Sequence, residues 1–317
     1  MKRRKFIAAA AAAVPAITLF PADLSGMARK TAPGKLEKRS LGRTGEMLSV
    51  IGCGGIVVMN ATPSEASERV RKAIDAGVNY FDVAPSYGDA EVKLGPALEP
   101  YRKDVFLACK TTMRTKDEAR KELEQSLKNM RTDHFDLYQH HAVTELKDVD
   151  TLLGPGGAME TFLEAREEGK IRFIGFSAHS VEAAMALMER FDFDTILFPF
   201  NYATWHAGNF GPQVMEKAKE KKMGILALKA MARGPWPEGA NRSAYPKCWY
   251  EPLMTTEDIT MGLRFTLSHP VTAAIPPGDE NLFLKALALA DRVKPLDEAE
   301  VLSIKERALK GVPLFKA

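Results

Sequence analysis

Cysteine is scarce in this 317-residue chain: Cys53, Cys109 and Cys248 make three, an odd number that builds no complete disulfide framework. Cys53 and Cys109 sit in apolar, strand-like runs, where buried free thiols are the expected state. A surplus of charge is missing too, with 44 Lys and Arg against 41 Asp and Glu and a formal net charge of +3. Such a balance offers no broad basic face, so nucleic acid is not an expected partner. Beyond the N-terminal segment no apolar run approaches the ~20 residues that a membrane-spanning helix needs. Ligand spacing for a metal is also absent. His140 and His141 are adjacent, strand neighbours point to opposite faces, and no Cys or carboxylate stands at a matching offset, so no metal is expected.

Residues 1–28 stand apart from the rest. Lys2-Arg3-Arg4-Lys5-Phe6-Ile7 precedes an alanine-rich apolar run from Ala8 to Phe20, and the small residues Gly26 and Ala28 follow. A basic start, a short apolar core and a small-residue end describe an export signal. The Arg3-Arg4-x-Phe6-Ile7 arrangement resembles a twin-arginine signal, which implies the twin-arginine export machinery as a partner and a periplasmic or otherwise exported protein. A Sec signal or an uncleaved anchor is the plainer alternative. Removing this segment, with its four Lys or Arg and one Asp, brings the net charge to about zero and leaves no stable membrane span.

Past it, apolar strand-like runs alternate with helical periodicity. Ser49–Ile56 is followed by a helix from Pro63-Ser64 that Gly77 stops, then by a strand over 79–84. The alternation continues with strand 105–110, helix 117–130, strand 135–141, helix 157–168, strand 171–178 and helix 181–189. Strand 195–200, helix 211–222, strand 224–230, helix 256–267, strand 272–276 and helix 281–292 complete it, with a last helix over 297–310. Eight strand-plus-helix units without a break in composition predict one α/β (β/α)8 TIM barrel over residues 35–317, a single domain. A doubly wound sheet needs a glycine-rich phosphate loop after its first strand. Gly52-Cys53-Gly54-Gly55 lacks the third glycine at the required offset. Two connections are long: 203–211, with Trp205 and His206, and 234–255, with Trp236, Trp249 and Tyr250. Both follow strands on the edge where such barrels build pockets.

Chemistry gathers at three consecutive strand ends. Asn79–Ala84 delivers Asp82 and, a short loop later, Tyr87; Val105–Cys109 delivers Lys110; Phe135–Gln139 delivers His140 and His141. Each residue alone reads blandly, Asp82 as a cap and Lys110 as a solvated strand end. Together they can reduce a carbonyl. Tyrosine is a weak acid, with an unperturbed pKa of ~10, and a neighbouring ammonium is expected to lower it. Tyr87 is then the proton donor, Lys110 and Asp82 its tuning pair, and His141 the group that orients the substrate.

In these contexts Asp82, Tyr87, Lys110 and His141 resemble the tetrad of the aldo-keto reductases. Leu41-Gly42-Arg43-Thr44-Gly45 is similar to that family's opening, and the likeness spans nearly the whole chain after the signal. It implies the barrel, carbonyl–alcohol chemistry and a nicotinamide cofactor, NADP with NAD as the alternative. The resemblance places His141, five residues after Asp136, as the catalytic histidine and leaves His140 behind the barrel wall. It assigns the cofactor to Gly54, Gly55 and Ile56, to Ser177 within Gly175–His179, to Asn201, to Leu228, Lys229, Met231 and Gly234, and to Pro276, Gly278 and Asp279. This chain departs from the family at Ala178, where asparagine is common, at Leu197 in place of a glutamine, and at Leu228 in place of a stacking aromatic. Acids Asp279 and Glu280 stand where NADP-preferring members place a base, with Lys285 the nearest cation. Three functions stay open: a carbonyl or sugar reductase, an exported enzyme that retains and recycles its nicotinamide, and a nucleotide-sensing barrel. The short tail from Gly311 to Ala317 implies a roomy, open site.

Overall fold

Strict alternation of side chains builds this architecture from short strands. The computed structural model describes residues 36–317; the expected export signal lies outside the described residues. Eight parallel strands, Cys53–Gly54, Tyr80–Asp82, Phe106–Thr111, Phe135–Val143, Ile171–Ala178, Thr195–Pro199, Gly224–Leu228 and Ala273–Ile275, lie side by side in chain order. The last returns to the first. Ile51 bridges Ala274, the Gly52 amide donates to Ala274 O at 3.0 Å, and the Ala274 amide donates to Val50 O at 2.9 Å. The ring is the (β/α)8 barrel that the alternation predicts.

Residues two apart share a face, so each strand feeds two cores. Tyr80, Phe106, Ala108, Leu137, Leu197 and Leu226 fill the barrel interior. Leu41 and Leu48 join them from a hairpin pairing Lys38–Ser40 with Met47–Ser49. Phe81, Leu107, Cys109, Tyr138, Phe176 and Phe198 face outward into a second, larger core under the helices. Fully burying each large apolar side chain contributes roughly 1.5–3 kcal/mol, so both layers stabilise the ring. Continuing the same alternation upward puts Asp82, Lys110, Gln139 and His141 on the inward face at the C-terminal edge.

Most helices keep the predicted bounds, as at Lys116–Met130, Val181–Arg190 and Thr256–Leu267. The first strand is a correction. The strand proper is only Cys53–Gly54, with Ile51 adding a single bridge to Ala274, because Met47–Ser49 belongs to the hairpin and Gly55–Val58 turns into a 3-10 helix. A helix over Ala90–Leu98 escapes sequence reading because Gly95 and Pro96 sit inside it. Gly95 is needed there, since a Cβ would strike the Met130 backbone at 2.7 Å. Leu146–Leu153 and Tyr202–Ala207 are further short helices within expected loops. In the long loop, Ala232–Gly234 pairs with Glu251–Pro252. Among the described residues no helix is long and apolar enough to cross a membrane.

Candidate active site

The second, third and fourth strand ends converge on a buried ion pair. Lys110 Nζ contacts Asp82 Oδ1 and donates to Val83 O at 3.1 Å, and both side chains are shut off from solvent, at 0% and 2% exposure. Tyr80 Oη and Gln139 Nε2 each donate to the other Asp82 oxygen at 3.2 Å. Sequence reading missed these two supports, which the barrel register supplies. Tyr87, half-buried after the second strand, brings its hydroxyl to 3.4 Å from Lys110 Nζ. Burial pulls the Lys110 amine down, but the Asp82 carboxylate holds its pKa above the ordinary lysine value.

The Tyr87 phenol runs against expectation. Burial pushes its pKa up, and Lys110 offsets this only in part, so the net direction is upward. Tuning toward acidity is outweighed by desolvation. The phenol therefore stays protonated across neutral pH, held beside a cation.

His141 lies edge-on to Tyr87, with ring centroids 5.7 Å apart. Ser86 Oγ reaches its Nδ1 at 3.3 Å and Arg114 Nη2 donates to its carbonyl at 3.0 Å. Burial and then the Lys110 charge push its pKa down to about 2, so the imidazole is neutral at any physiological pH. His140 points the other way. It is fully buried, stacked on Phe162 at 4.0 Å, with both ring nitrogens unpartnered. Among the described residues no group of three or more His, Cys, Asp or Glu could hold a metal.

The residues expected to hold a nucleotide separate into two groups. At the sixth strand end, Asn201 Oδ1 accepts from the Thr204 amide at 3.0 Å, while Nδ2 is buried without a partner. This orphaned donor suits an amide oxygen of a ligand. Ser177 is buried beside it in the strand order and accepts from the Ala142 amide at 2.8 Å, where a bulge after His140 forces Ala142 to φ +52°. Leu228 is half-buried at the seventh strand end. Gly54 and Gly55 are required by packing, since a Cβ would meet Ile275 at 3.0 Å and Val83 at 2.7 Å, and one on Gly278 would collide with Ile56. Pro276 is buried in the same seam. Two of the expected residues lie apart from these. Met231 is fully buried in the outer core and offers no side-chain surface to a ligand. Gly234 is buried in the hairpin, opposite Glu251 and pressed against Val312 O.

The acids after the eighth strand already have work. Asp279 caps the Glu280–Leu289 helix, accepting from the Leu282 amide at 3.0 Å. Glu280 pairs with Arg69 at 2.6 Å and Lys72 at 3.4 Å. Lys285 donates to Met254 O at 3.1 Å. The helix N-terminus thus welcomes Asp279 as a cap, the blander of its two roles.

Two segments close over the edge. The 234–255 loop crosses from the seventh strand to the first, where Lys247 Nζ donates to Ile56 O and Val57 O at 3.1 Å each. The tail corrects the expectation of an open site. Phe315 stacks on His179 at 5.2 Å and on Phe210 at 5.1 Å, with Trp249 at 6.2 Å, and the Ala317 amide donates to Gly208 O at 2.9 Å. The tail is a wall.

The aldo/keto reductase family profile matches residues 50–252. Aldo-keto reductase YhdN of Bacillus subtilis is 32% identical over 218 residues, 63% of this chain and 63% of that protein, so the match spans less than two thirds of its length. L-galactose dehydrogenase of Arabidopsis thaliana is 26% identical over 216 residues, 63% of this chain and 67% of that protein. Among solved structures, the holo form of aldo-keto reductase AKR11C1 from Bacillus halodurans superposes with a TM-score of 0.68 at 22% identity, covering 87% of this chain and 97% of that one. That likeness speaks to the barrel itself. With a profile match over more than half of its residues, this chain belongs to the aldo/keto reductase family.

Proposed function

We propose that the protein is a nicotinamide-dependent oxidoreductase that reduces aldehydes or ketones to alcohols, or catalyses the reverse, with Tyr87 as the proton donor. The carrying observation is the convergence of Asp82, Lys110, Tyr87 and His141 on one inward strand edge. When bound, the reduced nicotinamide supplies the hydride that reaches the carbonyl carbon. Tyr87 Oη gives its proton to the carbonyl oxygen, which gains the bonding pair as the alcohol forms. Lys110, kept charged by Asp82, stabilises the phenolate left behind. Neutral His141 serves as a hydrogen-bonding group and holds the carbonyl toward Tyr87.

The orphaned Asn201 Nδ2 and the buried Ser177 support an amide-binding corner for NADP or NAD. Leu228, Ile56 and the Gly54–Gly55 turn would line the ring, with Pro276, Gly278 and Asp279 toward the adenosine end. A sugar substrate is supported by the likeness to L-galactose dehydrogenase. Export by the twin-arginine route rests on residues 1–28 alone.

A second reading has one observation in its favour. Lys247 ties the 234–255 loop across the barrel mouth, which suits an exported enzyme that keeps its nicotinamide and recycles it between substrate and product. Purified protein is denatured and any released nucleotide identified, then native protein is assayed with carbonyls and added NADPH or NADH. Stoichiometric nucleotide supports retention. Turnover with added cofactor supports the simple reductase, and neither result sinks both.

A further inference from the structure

The turn that aims His141 depends on a residue that the proposed chemistry does not use. His140 pairs with Phe176 and Val143 with Ala178 across the fourth and fifth strands, which leaves His141 and Ala142 facing Ser177 alone. One extra residue resets the alternation of side chains. His141 can therefore face the barrel mouth while Val143, fully buried, packs in the outer core. The strain falls on Ala142, whose φ of +52° lies in the left-handed region that a residue with a Cβ seldom adopts. Lys229, one of the residues expected at the cofactor, also leaves the seventh strand at a positive φ, +65°. There a local turn closes on it, with the Ala232 amide donating to its carbonyl at 2.8 Å. The groups that hold Ala142 come from farther along the chain.

Arg114, just after the third strand, is the chief of them. Its Nη2 donates to His141 O at 3.0 Å and lies 3.4 Å from Ala142 O. Neighbouring carbonyls of a regular strand point in opposite directions, so one nitrogen reaches both only because the backbone is turned at Ala142. Asp148, in the first turn of the Leu146–Leu153 helix, anchors the same nitrogen at 3.0 Å. From the other side Ser177 Oγ accepts from the Ala142 amide at 2.8 Å. The guanidinium is not placed as an ordinary surface ion pair. Its Nη1 is buried without a partner, a position that a freely solvated arginine would avoid.

We infer that Arg114, anchored by Asp148, is a positioning residue that holds Ala142 in its left-handed turn and thereby keeps the His141 ring against Tyr87. Arg114 acts through the backbone of the fourth strand and touches no reacting atom. Without it Ala142 relaxes toward an extended conformation, and His141 turns from the mouth because Val143 is fixed in the core. The inference rests on the carbonyl-reducing function proposed above.

The test combines kinetics with crystallography on the full chain. Arg114→Met should lower kcat/KM for benzaldehyde at least about tenfold, while NADPH affinity stays within about threefold. Asp148→Asn keeps the guanidinium and loosens its anchor, so it should show a smaller loss in the same direction, and it carries the test if Arg114→Met does not fold. Glycine adopts positive φ freely, so adding Ala142→Gly to Arg114→Met should recover at least about threefold. A residue that merely stabilises the fold predicts no such recovery. Unchanged kcat/KM in the Arg114 and Asp148 variants overturns the inference. So does an equal loss of NADPH affinity, or a double variant no better than Arg114→Met. Crystal structures keep this inference apart from the proposed function. In Arg114→Met the His141 ring centroid should lie at least about 1 Å farther from that of Tyr87 than its present 5.7 Å, whether or not any aldehyde is reduced. A moved ring in a protein that reduces no carbonyl supports the positioning role and counts only against the chemistry, whereas an unmoved ring overturns the role.

Discussion

Lys110 Nζ stands 3.4 Å from Tyr87 Oη, a contact that joins a fully buried ion pair to a half-buried phenol at the edge of the barrel. Tyr87→Phe removes the transferable proton and leaves the ring packing in place. Turnover should fall at least ~100-fold, the usual scale for a general acid, while nucleotide affinity changes by no more than about threefold. Steady-state rates and fluorescence titration measure the two quantities. Parallel losses in both would assign Tyr87 to binding.

His140 yields a stability prediction. Its pKa in the folded protein is pushed down to about 3 by burial, against about 6.5 in an unfolded chain. The unfolded state therefore takes up a proton first as pH falls below 6.5, and stability drains away from there down toward pH 3. Between pH 6.5 and 5 this single group costs about 2 kcal/mol. His140→Phe, stacked on Phe162, should flatten that part of the melting-temperature profile. An unchanged slope would place the acid sensitivity elsewhere.

Cofactor choice turns on the end of the eighth strand. Glu280 is bound to Arg69 and Lys72, so Glu280→Arg both adds a cation and releases two more. Paired with Asp279→Ser, which keeps a capping oxygen for Leu282, it should raise the NADP-over-NAD affinity ratio by at least about tenfold. Titrating both nucleotides into both proteins reads this directly. A constant ratio would leave the two acids as structural groups only.

Export is tested inside the cell. Arg3→Lys with Arg4→Lys keeps the charge but removes the paired guanidinium groups, and the precursor should accumulate in the cytoplasm by fractionation. Undiminished export of the double variant would exclude the twin-arginine route.

Much of the site was legible because strand alternation is a local rule. Asp82, Lys110 and His141 each end an apolar run, and period two assigns them a common inward face without knowledge of any contact. The same rule sends His140 outward to Phe162. What escaped depends on distance along the chain. Gln139 reaches Asp82 only once the register of three strands is set, and Lys247 finds Ile56 across 191 positions. The Phe315–His179 stack likewise joins segments that no window contains. Composition hid the Ala90–Leu98 helix, since a Gly-Pro pair normally ends one, and here tight packing against Met130 favours it. Around the barrel mouth, Gly54, Gly55 and Gly278 are crowded by Ile275, Val83 and Ile56, neighbours that only the closed ring supplies.

The Asp82–Lys110 pair has a consequence for how heat-tolerant this barrel can become. The layer beneath it is Tyr80, Phe106, Ala108 and Leu137, an oily plug on which an apolar layer could continue. A salt bridge closed off from water is frequently worth less than well-packed hydrocarbon of the same volume, and breaking one by removing a single partner costs about 3–5 kcal/mol. Lys110→Met alone should therefore melt early, stranding a carboxylate in the interior. Adding Asp82→Leu should raise the melting temperature above that of either single variant, in a protein that no longer turns over. Resistance to heat and competence in proton transfer compete for the same two positions, and any lineage selected for thermal endurance must look for it elsewhere in the molecule.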